Sequence, residues 1–204
     1  MIVETIFSTL NADDVPNFAP MGVVWGEKEM IVRPFCDTTT YRNLIATRAG
    51  VANVTDNALA FAQSALSDVH LPHVAARRVR GVVLQDACFW CELEVIDVTV
   101  GAETNVHGRV GLGARDKEKE RADVRCRVAG RGRQRDFLGF NRGKNAVIEA
   151  AILATRLHLY RRSDIQSALQ RYREIVRKTG GEQEREAMEY IQTYVTRQLL
   201  ADKS

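Results

Sequence analysis

Three consecutive threonines, Thr38, Thr39 and Thr40, stand where a helix is predicted to begin, with Arg33 just upstream. The first backbone N–H groups of a helix have no intrahelical partner, and the helix dipole favours an anion at that end. Threonine hydroxyls add hydrogen-bond donors, and an arginine supplies a positive charge. The pattern favours a phosphate site, with a threonine-rich helix cap as the purely structural alternative.

The elements that must position these threonines are short. Three β-like runs rich in Val, Ile, Phe and Thr come first, over Ile2–Leu10, Asn17–Trp25 and Glu29–Phe35, with turns suited to hairpins between them. The threonines then open a helical run from Tyr41 to Ala49, which Gly50 is expected to end. A strand over Val51–Val54 and a helix capped by Thr55 or Asp56 and running through Ser67 are predicted next.

Three stretches of the chain resemble a known family. They are Asn17–Val23, Arg33-Pro34-Phe35 with Thr38–Asn43, and Phe140–Ala150. Together they resemble the FMN-binding, flavin-reductase-like split barrel, and within it the group called domain of unknown function 447. The resemblance covers most of the chain and implies an α+β fold with a mostly β core. A split β-barrel is expected over residues 1–140, and a helical region of about three helices over residues 141–204.

The resemblance also implies a cofactor and a site. FMN is expected to bind without a covalent bond, near the interface of a homodimer. Its phosphate is assigned to Thr38, Thr39, Thr40 and Arg33, and its ring to the backbone of Ala19, Pro20, Met21, Gly22 and Val23. Phe35 and Asn43 belong to the same stretches, and Asn53 and Thr55, at the end of the following strand, are expected to add ring or phosphate contacts.

The middle third alternates with period two, but the phase changes between Val95 and Ile96, which predicts a bulge. A short strand over Val106–Val110, a strand over Val124–Val128 and a turn at Gly130–Arg133 are predicted after it. From Gly143 the period becomes 3.6 and three helices are expected. The first helix is expected to run to about Tyr160. The second begins at a capping-box-like Ser163–Gln166 and ends at Gly180-Gly181, and the third extends through Leu199.

Cysteine and histidine do not form a recognisable metal site. Cys88 and Cys91 form a CxxC, but positions three apart on a strand point to opposite faces, so small buried side chains are expected. Neither Cys36 nor Cys126 completes a site, and the histidines His70, His73, His107 and His158 lack ligand spacing. Gly108, Gly111 and Gly113 do not make the dinucleotide fingerprint.

Five arginines, Arg125, Arg127, Arg131, Arg133 and Arg135, form a basic stripe. Nucleic acid is one possible partner, but no aromatic residues interleave with the arginines, and a net charge of +3 is weak support. A solvated face or an anion site is favoured instead. Exposed cations are the rule, so Arg42, Arg142 and Lys144 are expected to be surface charges more often than ligand contacts.

The sequence therefore predicts an FMN-binding protein, and if it is an enzyme, one that passes electrons between a reduced nicotinamide and an unknown acceptor. A start without a basic, apolar leader predicts a cytoplasmic location. Two alternatives stay open: a carrier or sensor that binds flavin or another anionic cofactor without turnover, and an RNA-binding or assembly module that uses the basic stripe.

Overall fold

The computed structural model describes residues 1–101 and 120–201. The chain forms two compact units, one made of Met1–Thr55 and His70–Asp136, the other of Asp56–Val69 and Phe137–Ser204. The predicted strand over Val106–Val110, His107 and the glycines at 108, 111 and 113 lie outside the described residues. Within residues 1–101 and 120–201, no helix is both long enough and apolar enough to cross a bilayer.

The first unit is built on a closed barrel of six antiparallel strands. Its strands are β1 (Ile2–Leu10), β2 (Pro16–Val24), β3 (Glu29–Val32), β4 (Ala49–Val54), β7 (Phe89–Val100) and β8 (Ala122–Arg133). Their order around the barrel is β1-β2-β3-β8-β7-β4, and β4 closes it by pairing back to β1. A separate hairpin consists of β5 (His73–Ala75) and β6 (Val82–Leu84). The predicted barrel is confirmed, with β3 ending before Phe35.

The barrel interior is apolar, and helix α1 (Thr39–Thr47) contributes to it. Phe7, Val23, Met30, Leu44 and Leu93 are each at most 1% exposed and form one cluster. The sequence predicted that Gly50 ends α1, and this was wrong. The last helical residue is Thr47, and Arg48 caps the helix in the left-handed conformation with φ 55°. Gly50 lies in β4 instead, where a Cβ atom would stand 2.5 Å from the Phe7 ring.

The predicted bulge in β7 is confirmed. Val95 pairs with Cys126 and Asp97 with Arg125, so Ile96 is the inserted residue that turns the alternation over. A second register shift lies between Glu92 and Leu93. The predicted turn at Gly130–Arg133 was wrong, because this stretch continues β8 and pairs with the start of β7.

The second unit contains four α-helices: α2 (Ala58–Leu66), α3 (Arg142–Ala154), α4 (Arg162–Thr179) and α5 (Glu182–Ala201). Their apolar faces form one cluster around fully buried side chains such as Val147, Ile165 and Ile191. The capping box at Ser163 was wrong, since α4 begins after Arg161 without a side-chain cap. Asn57, not Thr55 or Asp56, caps α2.

Helix α2 packs with the C-terminal helices, although in sequence it lies between the barrel strands β4 and β7. The second unit thus takes in residues that lie before the predicted boundary at 140. The division into domains at residue 140 stays a prediction, and the compact units divide the chain at other residues.

Candidate cofactor-binding site

The start of α1 is shaped by a tight turn through Thr38. With φ −88° and ψ 155° Thr38 is extended, and its hydroxyl oxygen accepts the N–H of Tyr41 at 3.3 Å. The same hydroxyl donates to the carbonyl oxygen of Phe35 at 2.7 Å, and the Thr38 N–H donates to that oxygen at 3.1 Å. Thr38 is therefore the N-cap, which is the alternative the sequence left open.

The cap leaves two donors free. The N–H of Arg42 bonds to the carbonyl of Thr38 and that of Tyr41 to its hydroxyl, whereas the N–H groups of Thr39 and Thr40 have no partner among the described residues. They are the first two N–H groups of the helix, where the dipole favours an anion. Capping and anion binding are thus compatible here, because they use different groups.

Thr40 and Asn43 join α1 to the barrel. Both are buried; the Asn17 side-chain amide donates to Thr40 Oγ1 at 3.1 Å, and Asn43 donates to Thr9 Oγ1 at 3.0 Å. Two of the stretches that carried the resemblance, the start of β2 and the start of α1, are brought together by these bonds. The side chains of Thr40 and Asn43 are committed to that purpose.

Among the described residues, the second edge of β2 is unpaired over most of its length. Val23 and Val24 pair with β3, and no described strand pairs with β2 on that side before them. Trp25 donates its N–H to Met1, so odd-numbered residues face β1 and Phe18, Pro20 and Gly22 turn their backbone groups to the open edge. Proline lacks an N–H and suits an edge position. Within residues 1–101 and 120–201, the free donors along this edge are therefore those of Phe18 and Gly22.

The remaining β2 residues of the predicted site face inward. Met21 and Val23 pack in the barrel core, and alternation puts Ala19 on the same face. The side chains of these three residues are therefore turned away from a ligand at the open edge, where the strand offers its backbone groups. Pro20 is the sequence feature that identifies the edge, since a proline is excluded from a strand paired on both sides.

Arg33 does not bring a free positive charge to the site. Its guanidinium makes two hydrogen bonds to the carboxylate of Asp123, at 2.9 and 3.2 Å, with both side chains largely buried. Phe35 is likewise engaged, with the guanidinium of Arg121 lying 4.0 Å from its ring centroid. These contacts hold the loop before α1 against the start of β8.

Arg42 is the cation that reaches the start of α1. It is exposed, its Nη2 donates to Thr39 Oγ1 at 3.1 Å, and it has no carboxylate partner in the part of the chain that the structure describes. The sequence favoured a surface role for Arg42 and a binding role for Arg33. Both roles stay predictions; in the structure Arg42 bonds to Thr39 at the start of α1, whereas Arg33 is held by Asp123.

Asn53 and Thr55 are committed within the first unit. Asn53 is fully buried, donates to the carbonyl of Ile6 and the hydroxyl of Ser8, both at 3.0 Å, and accepts the N–H of Leu84 at 3.0 Å. Thr55 donates to the carbonyl of Asp86 at 2.9 Å. Asn53 has no side-chain group left for a ligand and ties the hairpin of β5 and β6 to the barrel.

The basic stripe is largely paired. Arg127 lies 2.5 Å from Glu94, Arg125 3.9 Å from Asp97, and Arg135 2.9 Å from Asp86. Arg133 pairs with Asp136, and Arg131 donates to the carbonyl of Glu27. Lys144, another candidate, pairs with Asp56 at 2.9 Å in the helical unit. Arginines that are already paired with carboxylates are poorly suited to bind the phosphates of a nucleic acid.

The cysteines are free, and no group of metal-ligating side chains is found within residues 1–101 and 120–201. Cys88 and Cys91 are both buried, as expected. Burial raises the pKa of Cys91 to about 11 and that of Cys126 to about 12. His70 and His73 lie with ring centroids 5.1 Å apart, and His73 Nδ1 is 2.7 Å from the carbonyl of Leu71.

The six-stranded barrel with its helices is a flavin-reductase-like split β-barrel of the α+β class. The chain belongs to the family described as protein of unknown function (DUF447). The model of the family's N-terminal domain matches residues 3–134, and that of its C-terminal part matches residues 141–193.

Among solved structures, the chain is similar to an FMN-bound protein of the same family from Methanosarcina mazei. The two are 26% identical, the match covers 95% of this chain and 94% of that one, and the TM-score is 0.73. A 2-nitrobenzoate 2-nitroreductase from Pseudomonas fluorescens matches at 16% identity over 64% of each chain, with a TM-score of 0.48. An FMN-binding protein from Thermus thermophilus matches at 15% identity over 65% of this chain and 71% of that one, with a TM-score of 0.47.

Proposed function

We propose that this protein binds FMN. The observation that carries the proposal is the likeness to the FMN-bound Methanosarcina mazei protein, which extends over 95% of the present chain and through both family domains. The residues at the candidate site fit the cofactor's chemistry. Two free helix N–H groups and Arg42 suit a phosphate, and the open edge of β2 offers backbone donors to a ring with hydrogen-bonding atoms.

In this proposal the N–H groups of Thr39 and Thr40 and the guanidinium of Arg42 hold the phosphate. The N–H groups of Phe18 and Gly22 orient the ring along β2. Thr38 and Asn17 act on the ligand only indirectly, since they fix the start of α1 against the barrel. Arg33 and Phe35 hold the loop in the same way.

We further propose that the protein is an FMN-dependent oxidoreductase with a reduced nicotinamide as electron donor. Bound FMN supplies hydride and electron transfer, so the chain has to provide binding, orientation and electrostatics. The proposal extends to a homodimer in the cytoplasm, where four free cysteines suit a reducing compartment. The paired basic stripe counts against the nucleic-acid alternative.

The visible absorption spectrum of the purified protein tests the cofactor. We expect a flavin spectrum, either at once or after FMN is added and the excess removed. A colourless protein that does not retain FMN would overturn the proposal. Reduction of bound flavin by NADH or NADPH then separates an oxidoreductase from a carrier, and light scattering of the eluting protein measures its oligomeric state.

A further inference from the structure

The outer face of the β7–β8 ladder carries two glycines opposite two large side chains. Trp90 pairs with Gly132 and Glu92 with Gly130, so the four positions share one face in two adjacent rows. A Cβ atom at Gly132 would clash with the indole of Trp90, which therefore lies directly over that glycine. The two rows are about 7 Å apart, the spacing of alternate residues in a strand.

The second row holds a turn from the hairpin of β5 and β6. The carboxylate of Glu92 is 2% exposed and accepts three backbone N–H groups, from Arg77 at 3.1 Å, Arg78 at 2.5 Å and Val79 at 3.2 Å. The stem of Arg78 crosses Gly130, whose Cβ position would lie 2.9 Å from Arg78 Cγ. A buried carboxylate thus fixes a surface turn, and the stem of Arg78 on that turn lies one row from the indole of Trp90.

These two arginines differ from the others on the barrel. The guanidinium groups of Arg77 and Arg78 are exposed and have no hydrogen bond or ion pair with any residue in the described part of the chain. Arg80, on the same turn, is held by Asp14 at 2.8 Å and by the carbonyl of Ala12. Two exposed guanidinium groups on one turn that bind no carboxylate of the described chain are available to pair with the phosphate of a ligand.

We propose that Trp90, Arg77 and Arg78 form a nucleotide-binding site. The ring of the ligand stacks on the half-buried indole of Trp90, and its phosphate pairs with the two guanidinium groups about one row away. Gly130 and Gly132 are required because they let the arginine stem and the indole lie flat against the strand. Glu92 is a positioning residue that acts through the turn.

The size of the charged patch favours a free nucleotide over a nucleic acid strand. Beyond Arg77 and Arg78, the exposed arginines of β8 are engaged by carboxylates or a carbonyl, so β8 offers no continuous row of free cations next to the site. One ring and one phosphate match one mononucleotide unit, such as the adenylate half of a nicotinamide dinucleotide. A role in holding the electron donor rests on the proposed function, whereas nucleotide binding does not.

Tryptophan fluorescence tests the site, using the full chain with Trp25→Phe so that Trp90 is the single indole. We expect AMP to quench it in a saturable way, and adenosine to bind more weakly because it lacks the phosphate. Arg77→Gln with Arg78→Gln should weaken AMP binding about tenfold or more, the effect of losing charge-assisted phosphate contacts, and leave adenosine binding unchanged.

The matched control is Arg80→Gln with Arg133→Gln, which removes the same charge from arginines that are already paired. AMP affinity should be unchanged in it. Equal losses in the two double variants, equal retention in both, or absence of AMP quenching would each overturn the site. If an unstructured oligonucleotide competes with AMP and binds the site more tightly than AMP does, the assignment to a free nucleotide would be overturned.

Gly132→Ala provides a second variant that keeps every ligand-contacting side chain. It should tilt the indole and weaken AMP and adenosine to a similar degree, and unchanged affinity for both would contradict the stacking role. The visible spectrum of the same samples separates the two proposals. If the protein binds AMP but no flavin, the nucleotide site stands and its link to electron transfer is excluded. If it binds flavin but not AMP, the proposed function stands and the nucleotide site is excluded.

Discussion

At the scale of single residues, Thr39 permits an unusually direct test of the candidate phosphate site. It occupies the first helical position of α1, where proline is well tolerated, and Thr38 before it is already extended with ψ 155°. Thr39→Pro therefore removes one free N–H and keeps the helix. Thr39→Ala removes only the hydroxyl and serves as the control.

We expect Thr39→Pro to bind FMN about tenfold or more weakly than Thr39→Ala, since a hydrogen bond to a charged group contributes about 1.5–3 kcal/mol. The two variants should unfold at similar temperatures. Titration of the flavin-free protein with FMN, followed by flavin fluorescence, measures the affinities. Equal affinities would exclude the Thr39 N–H from the site.

Arg42 and Arg33 are expected to behave differently when each is replaced by glutamine. Arg42→Gln should lower FMN affinity about tenfold and leave stability nearly unchanged, because the side chain is exposed and bonds within the described structure only to the exposed Thr39 hydroxyl. Arg33→Gln should mainly lower stability, by about 1–3 kcal/mol, because it leaves Asp123 without its bidentate partner. Urea unfolding and FMN titration of both variants measure the two effects, and the opposite pattern would restore Arg33 as the phosphate ligand.

The raised pKa values of Cys91 and Cys126, about 11 and about 12, predict their reactivity. Thiolate is the reactive form, so at pH 8 both should resist iodoacetamide in the folded protein and react once it is unfolded. Raising the pH toward 10 should increase the labelling rate of each about tenfold per pH unit, because the thiolate fraction grows by that factor below the pKa, and both should stay slower than an exposed cysteine. Peptide mass spectrometry reports each cysteine, and rapid labelling of either at pH 8 would contradict their burial.

At the scale of elements, the hairpin of β5 and β6 has only three residues per strand, so its own strand pairing contributes little stability. Hydrogen bonds to buried polar groups of the barrel hold it in place. Asn53 bonds to Leu84, the Ser8 hydroxyl to the carbonyl of Val82 at 2.5 Å, and Glu92 to the turn at Arg78. A two-stranded hairpin alone is marginally stable. These contacts therefore determine whether the turn is ordered.

Glu92→Gln should destabilise the protein by about 2 kcal/mol, because an amide presents one acceptor and two donors to three backbone N–H groups. Glu94→Gln is the control on the same strand. Its partner Arg127 is exposed, so its loss should cost under about 1 kcal/mol. Amide hydrogen exchange should rise at Arg77, Arg78 and Val79 in Glu92→Gln alone, and equal exchange in both variants would contradict the role of Glu92.

At the scale of the whole molecule, α2 belongs to the second unit although its residues lie between the two chain segments that form the first unit. Ala58 and Ala62 of α2 are buried in the cluster formed with the C-terminal helices. A fragment of residues 1–140 would expose that face, although its end coincides with the predicted boundary. We expect it to aggregate or to unfold well below the full chain, and light scattering with thermal unfolding checks this. A monomeric fragment with an unchanged unfolding temperature would establish 1–140 as a domain.

Much of the local structure followed from the sequence alone. Alternation predicted the barrel strands and the bulge near Ile96, and the change of period predicted the C-terminal helices. The threonines before a helical run offered a cap as the alternative to a phosphate site, and Thr38 is the cap. These features depend on residues close together in the chain, where propensity and periodicity act. The stretches that resembled the family likewise predicted the split barrel before any strand pairing was known.

Other properties were decided only by tertiary structure. The pairing of β3 with β8 brings Arg33 to Asp123, far away in sequence, whereas Arg42 has no carboxylate partner among the described residues. The pairing of β7 with β8 makes Gly130 and Gly132 a surface for Arg78 and Trp90, where the local pattern suggested a turn. Whether a charge is free or neutralised depends on strand register, and register is set by long-range pairing that no local pattern of residue types encodes.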